Sequence, residues 1–203
     1  MARKLLVASA NPGKIREIKS FLGNINGIKL EIVGLDEFPD LEEVIEDGDS
    51  FTANALKKAR LRAEQTGLLS LADDSGLVVE YLGGEPGIYS ARYAGEKASD
   101  EENNLKLIEK LKGLPAEKRK AAFICVMALV DPVSREEIVV EGRCEGIIQL
   151  EAKGENGFGY DPIFYLPDYK KTMAELPLKV KNQISHRAVA LEKMKTEVKR
   201  RYS

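Results

Sequence analysis

The uninterrupted apolar stretch from Ala121 to Val130, within "KAAFICVMALVD", is the strongest constraint on how this chain folds. A run of this kind reads as a strand at the centre of a sheet, apolar on both faces. Across the turn "DPVSRE" it is followed by "EEIVVEGRCEGIIQL", and the two are expected to form a long antiparallel pair. The run falls well short of the roughly 20 apolar residues that cross a bilayer. The N-terminal "MARKLLVASANPGK" lacks the apolar region and cleavage site of an export signal, so neither export nor membrane insertion is expected.

The remaining pattern alternates between strands and helices. "KLLVASA" reads as a buried strand, Asn11 as the N-cap of a helix with Pro12 at its first position, and Ile15, Ile18 and Leu22 as the buried stripe of that helix. "IKLEIVGL" alternates like a strand and is followed by the acidic, turn-rich "DEFPDLEEVIEDGDS". A helix is predicted from Phe51 to Gln65, capped by Ser50 and ended by Gly67. "LLSLA" returns as a strand, "DDSG" is expected to turn, and "LVVEYL" resumes the extended pattern. Ser99 and Glu102 form a capping box for the helix "DEENNLKLIEKLKG". Ser185 is placed to cap a C-terminal helix through "HRAVALEKMKTEVKRR", whose basic end suits the helix dipole. With no repeat or flexible linker, the 203 residues are expected to form a single domain, 1–203, of α/β class.

Charge and composition narrow the chemistry. Acidic and basic residues nearly cancel, 33 against 31, which leaves no global field for polymeric nucleic acid but does not exclude a small anion held by local cations. The two cysteines, Cys125 and Cys144, have neither metal-ligand spacing nor the density of a disulfide scaffold, and both are expected to be thiols in a cytoplasmic protein. The single histidine, His186, has no nucleophile-elbow sequence beside it, so carboxylates are the expected proton acceptors.

Several segments carry groups suited to phosphate chemistry. "SANPGK", Ser9 to Lys14, sets a lysine on the first turn of a helix, where free N–H groups and the positive dipole end favour an anion. Taken alone, it equally describes an Asn-capped helix with a surface lysine. "LADDSG" presents two adjacent aspartates at the end of a strand, one able to hold a turn while the other faces a cleft, to bind a hard cation or take a proton from water. Asp-Asp-Ser-Gly is also good turn chemistry without a ligand. Of the carboxylates between Glu42 and Asp49, Glu46 could join Asp74 on a magnesium ion, which takes one or two protein carboxylates and leaves room for phosphate oxygens. Lys58 lies one turn after Asn54 on the same helix face. "FGYDP" places Phe158 and Tyr160 between glycines, where a planar ring can approach closely, and Lys181, Ser185, His186 and Arg187 offer polar groups further on.

Taken together and in this order, "SANPGK", "FTANALKKA", "ADDSG", "GGEPGIYSARYAG", "GFGYDPIF" and "ISHRAVAL" resemble the inosine/xanthosine triphosphate pyrophosphatase family, which hydrolyses non-standard purine nucleoside triphosphates. The resemblance spans nearly the whole chain, with no departure in these motifs. It implies an α/β fold with an elongated central mixed sheet flanked by helices and an active-site cleft between two lobes, and a homodimer. It implies a triphosphate held by Ser9, Ala10, Asn11, Pro12, Gly13 and Lys14 together with Lys58, and Mg²⁺ held by Glu46 and Asp74. Asp74 would also be the general base and Ser75 a substrate contact. Phe158, Gly159, Tyr160 and Asp161 would form the base-stacking loop, and Lys181, His186 and Arg187 would read base and phosphate.

The implied reaction is hydrolysis of ITP, dITP or XTP between the α and β phosphates, giving the monophosphate and pyrophosphate and cleansing the nucleotide pool. Three other readings are distinguishable: a pyrophosphatase for a modified pyrimidine nucleotide, a non-catalytic nucleotide sensor, and a P-loop kinase. The last lacks both the first glycine and the hydroxyl that would hold the metal, since Ala8 and Ile15 occupy those positions.

Overall fold

Parallel pairing sets the geometry of the N-terminal region. Strand β1 (Arg3–Val7) pairs in parallel with β2 (Leu30–Val33) on one side and β3 (Leu69–Val79) on the other. Between them lie α1 (Pro12–Leu22) and α2 (Phe51–Thr66). Because the crossover from β1 to β2 and the crossover from β2 back past β1 to β3 run in opposite directions across the sheet, right-handed connection sends α1 and α2 to opposite faces. The segments that follow β1 and β3 therefore emerge at the same, carboxyl end of the strands, at the point where the winding reverses.

A computed structural model describes every residue except Met1, Ala2, Ala10, Asn24, Asn26, Gly27 and Ser203, and leaves the side chains of Pro12 and Gly13 aside. Among the described residues, seven strands form one mixed sheet in the order β2-β1-β3-β4-β5-β6-β7. β4 (Lys120–Val130) is the apolar run and is buried from Ala121 to Val130, as its composition requires. It neighbours β5 (Glu137–Ile148) across a six-residue turn, Asp131 to Glu136, which is too short for a parallel crossover. The Asp131 N–H donates to the Glu136 carbonyl at 3.0 Å to close it. β6 (Phe164–Leu166) and β7 (Lys171–Thr172) add two antiparallel pairings at the far edge.

The chain divides into two compact units that interleave along the sequence. The first comprises Met1–Asp74, Cys125–Gly142 and Val189–Ser203; the second comprises Ser75–Ile124 and Arg143–Ala188. Strands β3, β4 and β5 each run through both. In the first unit Leu5, Val7, Leu69 and Leu71 share a core with Ile18 and Leu22 of α1, and with Ala190, Leu191, Met194 and Val198 of α5 (His186–Tyr202). In the second, Leu77, Phe123, Ile148 and Phe164 pack with Leu107 and Leu111 of α3 (Asp100–Leu111).

Local signals account for the helix ends. Ser50 Oγ accepts from the Ala53 N–H at 3.2 Å, and Gly67 at φ 67° closes α2 in the left-handed conformation that costs glycine nothing. Ser99 and Glu102 form the reciprocal capping box at the start of α3. Ser185 Oγ accepts from the Ala188 N–H at 3.2 Å in the first turn of α5.

Three expectations need correction, the first being that "LVVEYL" leaves the strand after Val79 and makes a 3-10 turn at Glu80–Leu82. "DDSG" is not a turn: β3 continues through Asp73, Asp74, Ser75 and Gly76 without a break. Turn-forming residues yield here to a strand framed by neighbours, and the outcome sets Asp73 and Asp74 on opposite faces. "IKLEIVGL" gives only four strand residues, β2, and then a 3-10 turn at Leu35–Glu37. The short helix α4 (Leu178–Ile184) had no periodic apolar stripe to announce it. No helix among the described residues is long and apolar enough to cross a membrane.

Candidate active site

Strand alternation builds the lysine–carboxylate cluster of the site from two consecutive residues. β1 and β3 run in register with Leu5 opposite Leu69 and Val7 opposite Leu71, and these four lie on the α1 side. Two residues further along, Asp73 points to that side and Asp74 to the side of α2. Asp73 meets Lys14, whose ammonium lies 2.8 Å from Asp73 Oδ2. Asp74 meets α2: Asn54 Nδ2 donates to its Oδ2 at 3.0 Å, and Lys58 Nζ lies 4.0 Å from its Oδ1.

The "SANPGK" loop is organised as its sequence suggests. Ser9 Oγ accepts from the Asn11 N–H at 3.1 Å, and Asn11 Oδ1 accepts from the Lys14 N–H at 3.3 Å, which is an N-cap on α1. Pro12 and Gly13 begin that helix, and Ala10 lies outside the described residues. Lys14 therefore starts one turn from the cap and reaches across to β3.

Glu46 joins the same group through Lys58, whose ammonium is 2.9 Å from Glu46 Oε1. One lysine thus stands against both carboxylates that were assigned to a metal. Asp47 turns away and pairs with Lys57 at 2.5 Å on the surface, which lowers its pKa through that hydrogen bond. Among the described residues, no set of three or more His, Cys, Asp or Glu side chains is arranged to hold a metal ion. Two hard-oxygen donors with open positions are nevertheless the donor set of an ion that keeps waters and takes substrate oxygens.

The second unit holds a pocket that begins at Ser75, the residue after Asp74. Ser75, Ser90, Asp100, Phe123, Phe158, Tyr160, Asp161, Lys181, His186 and Arg187 line it. Ser90 Oγ accepts from the Leu77 N–H at 2.9 Å and donates to the Gly87 carbonyl at 2.6 Å, tying the "GGEPGIYSARYAG" loop to β3. Asp100 Oδ2 accepts from the Gly159 N–H at 2.6 Å and Asn104 Nδ2 donates to the Gly159 carbonyl at 3.0 Å, so α3 fixes the "FGYDP" loop from both backbone groups.

Within that loop the two aromatics separate. Tyr160 is buried; its hydroxyl donates to the Ser90 carbonyl at 2.8 Å, and burial foremost raises its pKa, which keeps it a neutral donor. Phe158 is 58% exposed, leaving its ring available for stacking. The Lys181 ammonium lies 5.0 Å from the Phe158 centroid and pairs with Asp161 Oδ2, which also accepts from the Phe158 N–H at 3.0 Å. Gly157, at φ 89°, is required here, because a Cβ would stand 2.1 Å from Asp161 Oδ2. His186 and Arg187 open α5, both buried, and the His186 ring stacks on Phe123 at 4.9 Å.

Sequence reasoning passed over three residues of this arrangement. Asp73 reads in the sequence only as the aspartate that holds a turn, yet Lys14 rests on it. Asn54 was noted beside Lys58 but not joined to Asp74. Asp100 stands in the sequence only as part of the helix that Ser99 and Glu102 cap. The available signal was Asn54 itself, a residue that disfavours helix interiors set among strong helix formers. Cys144 contributes no chemistry: burial foremost, then the charges of Asp161 and Glu145, push its thiol to about 11.

The sequence pattern of the Ham1 family matches residues 5–197. The chain belongs to the Ham1 family. It is 50% identical over 199 residues, 98% of this chain and 97% of the other, to a protein of Desulforamulus reducens named dITP/XTP pyrophosphatase. Among solved structures, the Ham1 protein of Staphylococcus aureus matches with a TM-score of 0.88 and 43% identity over 97% of this chain and 98% of that one. A HAM1 protein from Coxiella burnetii matches with a TM-score of 0.91 and 40% identity, covering 98% and 99%. These likenesses agree with the observed α/β architecture and its mixed sheet.

Proposed function

We propose that this Ham1-family chain hydrolyses non-standard purine nucleoside triphosphates, ITP, dITP and XTP, to the monophosphate and pyrophosphate. The observation that carries the reading is the convergence of Lys58 on both Glu46 and Asp74, with Lys14 held beside them by Asp73. The name of the Desulforamulus reducens relative supports the same substrate class.

Asp74 takes the proton of a water whose oxygen bonds to the α-phosphorus, while the bond from that phosphorus to the bridging oxygen breaks and pyrophosphate leaves. Lys14, Lys58 and the positive end of the α1 dipole hold the β and γ phosphates and take up their charge. Glu46 and Asp74 would bind Mg²⁺, which supplies charge neutralisation on the phosphates. Ser9, Ala10, Asn11, Pro12 and Gly13 form the phosphate loop, and Ser75 contacts the substrate.

The base belongs to the pocket of the second unit. Phe158 stacks on it, Gly159 to Asp161 form the wall, and Lys181, His186 and Arg187 donate to base and phosphate oxygens. A site that donates to a 6-oxo group rejects adenine, whose amino group leaves those donors unpaired, a mismatch that reaches about 10⁴-fold. The three strands that pass through both units support one catalytic domain, 1–203. A cytoplasmic homodimer acting on free nucleotides rather than polymers completes the reading, and the near-balance of charge supports the last point. Pyrophosphate release from ITP, dITP, XTP, dATP and dGTP, with and without Mg²⁺, tests it. Release from ITP, dITP and XTP but not from dATP or dGTP is expected, and Mg-bound ITP that is never hydrolysed would favour a sensor.

A further inference from the structure

We infer that Asn54 is a positioning residue: its amide bridges Asp74 to the segment carrying Glu46 and fixes both carboxylates at once. The inference rests on the reading of Asp74 as the base. Asn54 is 2% exposed and lies in the second turn of α2. Its Nδ2 donates to Asp74 Oδ2 at 3.0 Å and its Oδ1 accepts from the Gly48 N–H at 2.8 Å. The orientation of the amide is not arbitrary. An ionised carboxylate only accepts and a backbone N–H only donates, so the flipped amide would set acceptor against acceptor and donor against donor.

The bridge ties β3 to a segment that has no regular structure of its own. Residues 38–50 contain no helix or strand, so Glu46 has no regular element to hold it. Gly48, two residues on, is anchored to the buried amide, and Lys58, one helical turn after Asn54, pairs with Glu46 at 2.9 Å. Two points on one face of α2 therefore pin the acidic segment, and the same two reach Asp74. With Oδ2 engaged by Asn54, the carboxylate cannot rotate freely, and Oδ1 is turned toward Lys58. Gly48 completes the fit: a Cβ there would lie 2.6 Å from Asn54 Oδ1 and 2.9 Å from Ala53 Cβ. A buried amide in a helix interior costs stability through both propensity and desolvation. Its two hydrogen bonds to the site segments offset that cost.

The test uses the full chain with three substitutions, each followed by thermal unfolding, steady-state kinetics on ITP with Mg²⁺, and hydrogen exchange of the Gly48 amide in metal-free buffer. Asn54→Asp keeps the shape and the acceptor for Gly48 but replaces the amide donor to Asp74 with a second carboxyl, which when ionised has nothing to donate and otherwise ties Asp74 up in a shared proton. It should leave the Gly48 amide protected and lower kcat roughly 10- to 100-fold with KM little changed, the scale for losing the group that orients a ligand or base. Asn54→Leu removes both bonds and should lose Gly48 protection as well as kcat. Gly48→Ala, which displaces the Asn54 side chain, should reproduce the Asn54→Leu kinetics. Wild-type kcat in Asn54→Asp would overturn the inference. So would retained Gly48 protection in Asn54→Leu, or a fall in Tm with turnover per folded molecule intact, which is what a structural role alone would give. If the wild-type chain releases no pyrophosphate from any triphosphate, the reading of Asp74 fails, while Gly48 exchange still reports whether the bridge exists.

Discussion

The lysine–carboxylate cluster of the first unit and the pocket of the second, read as the proposed function has them, would recognise by opposite means. In the first, each lysine already holds a carboxylate: Lys14 rests on Asp73, and Lys58 on Glu46 and Asp74. Binding there means exchanging one set of charge pairs for another, so the cluster is built of positions that tolerate little change in charge. In the second, the buried ion pair Lys181–Asp161 stands among aromatic and backbone surface, with Tyr160 buried and Phe158 exposed. Recognition there rests on shape, stacking and donated hydrogen bonds. The contrast separates rate from affinity: the first cluster should govern turnover and the second the choice and hold of the base.

The largest expected effect breaks the first half alone. Asp74→Asn keeps the shape and the burial but cannot accept the proton, so kcat for pyrophosphate release should fall by about 10²–10⁴ with folding retained. Normal turnover by this variant would remove Asp74 from its role. Phe158→Ala tests the other half. Base–aromatic stacking contributes about 1–3 kcal/mol, so KM for ITP should rise roughly tenfold while kcat holds. A drop in kcat with KM unchanged would merge the two halves instead of separating them.

A third substitution acts on the scaffold of the first cluster. Ser50→Ala removes the cap of the helix that carries Asn54 and Lys58 and should cost about 1 kcal/mol, read as a fall in Tm of a few degrees with kcat reduced less than in Asp74→Asn. The smallest effect concerns Asp131, away from both halves. Burial opposes its ionisation, but the Val133 N–H at 3.0 Å and the Arg3 guanidinium at 2.5 Å outweigh it and hold the carboxyl below its ordinary range. A depressed folded-state value stabilises the protein above the unfolded value of about 3.9 and is lost as pH falls through the folded one. Between pH 5 and pH 3 the Tm of the wild type should therefore fall more steeply than that of Asp131→Asn; parallel curves would show that the pair carries no linkage.

Much of this was legible wherever a local rule decides the outcome. Ser50 and Gly67 bracket α2 because cap chemistry is local, Ser99 and Glu102 announce α3, and the apolar run of β4 could only be interior. What was illegible depended on partners remote in sequence. "DDSG" carries turn residues, yet the neighbours of β3 keep it extended, and no window around Asp73 reveals a strand in register beside it. Tyr160 and Phe158 look equivalent in "FGYDP" and are separated only by the Ser90 carbonyl, which accepts from one of them. The importance of Asn54 likewise arises from Gly48 and Asp74, which approach it from either side of the helix start.

The continuity of β3 through Asp73 and Asp74 bears on what lengths this chain can tolerate. Along a strand every residue inserted or removed exchanges the two faces. One residue added between Leu69 and Ala72 would put Ala72 in the slot that faces Lys14 and Asp73 in the slot that faces Asn54 while leaving every motif letter intact. Residues 38–45, in contrast, follow no strand or helix repeat, and can gain or lose residues as long as Glu46 and Gly48 still reach α2. Variation in length among proteins built on this plan should therefore collect in that segment and be absent from the five residues that lead into Asp74.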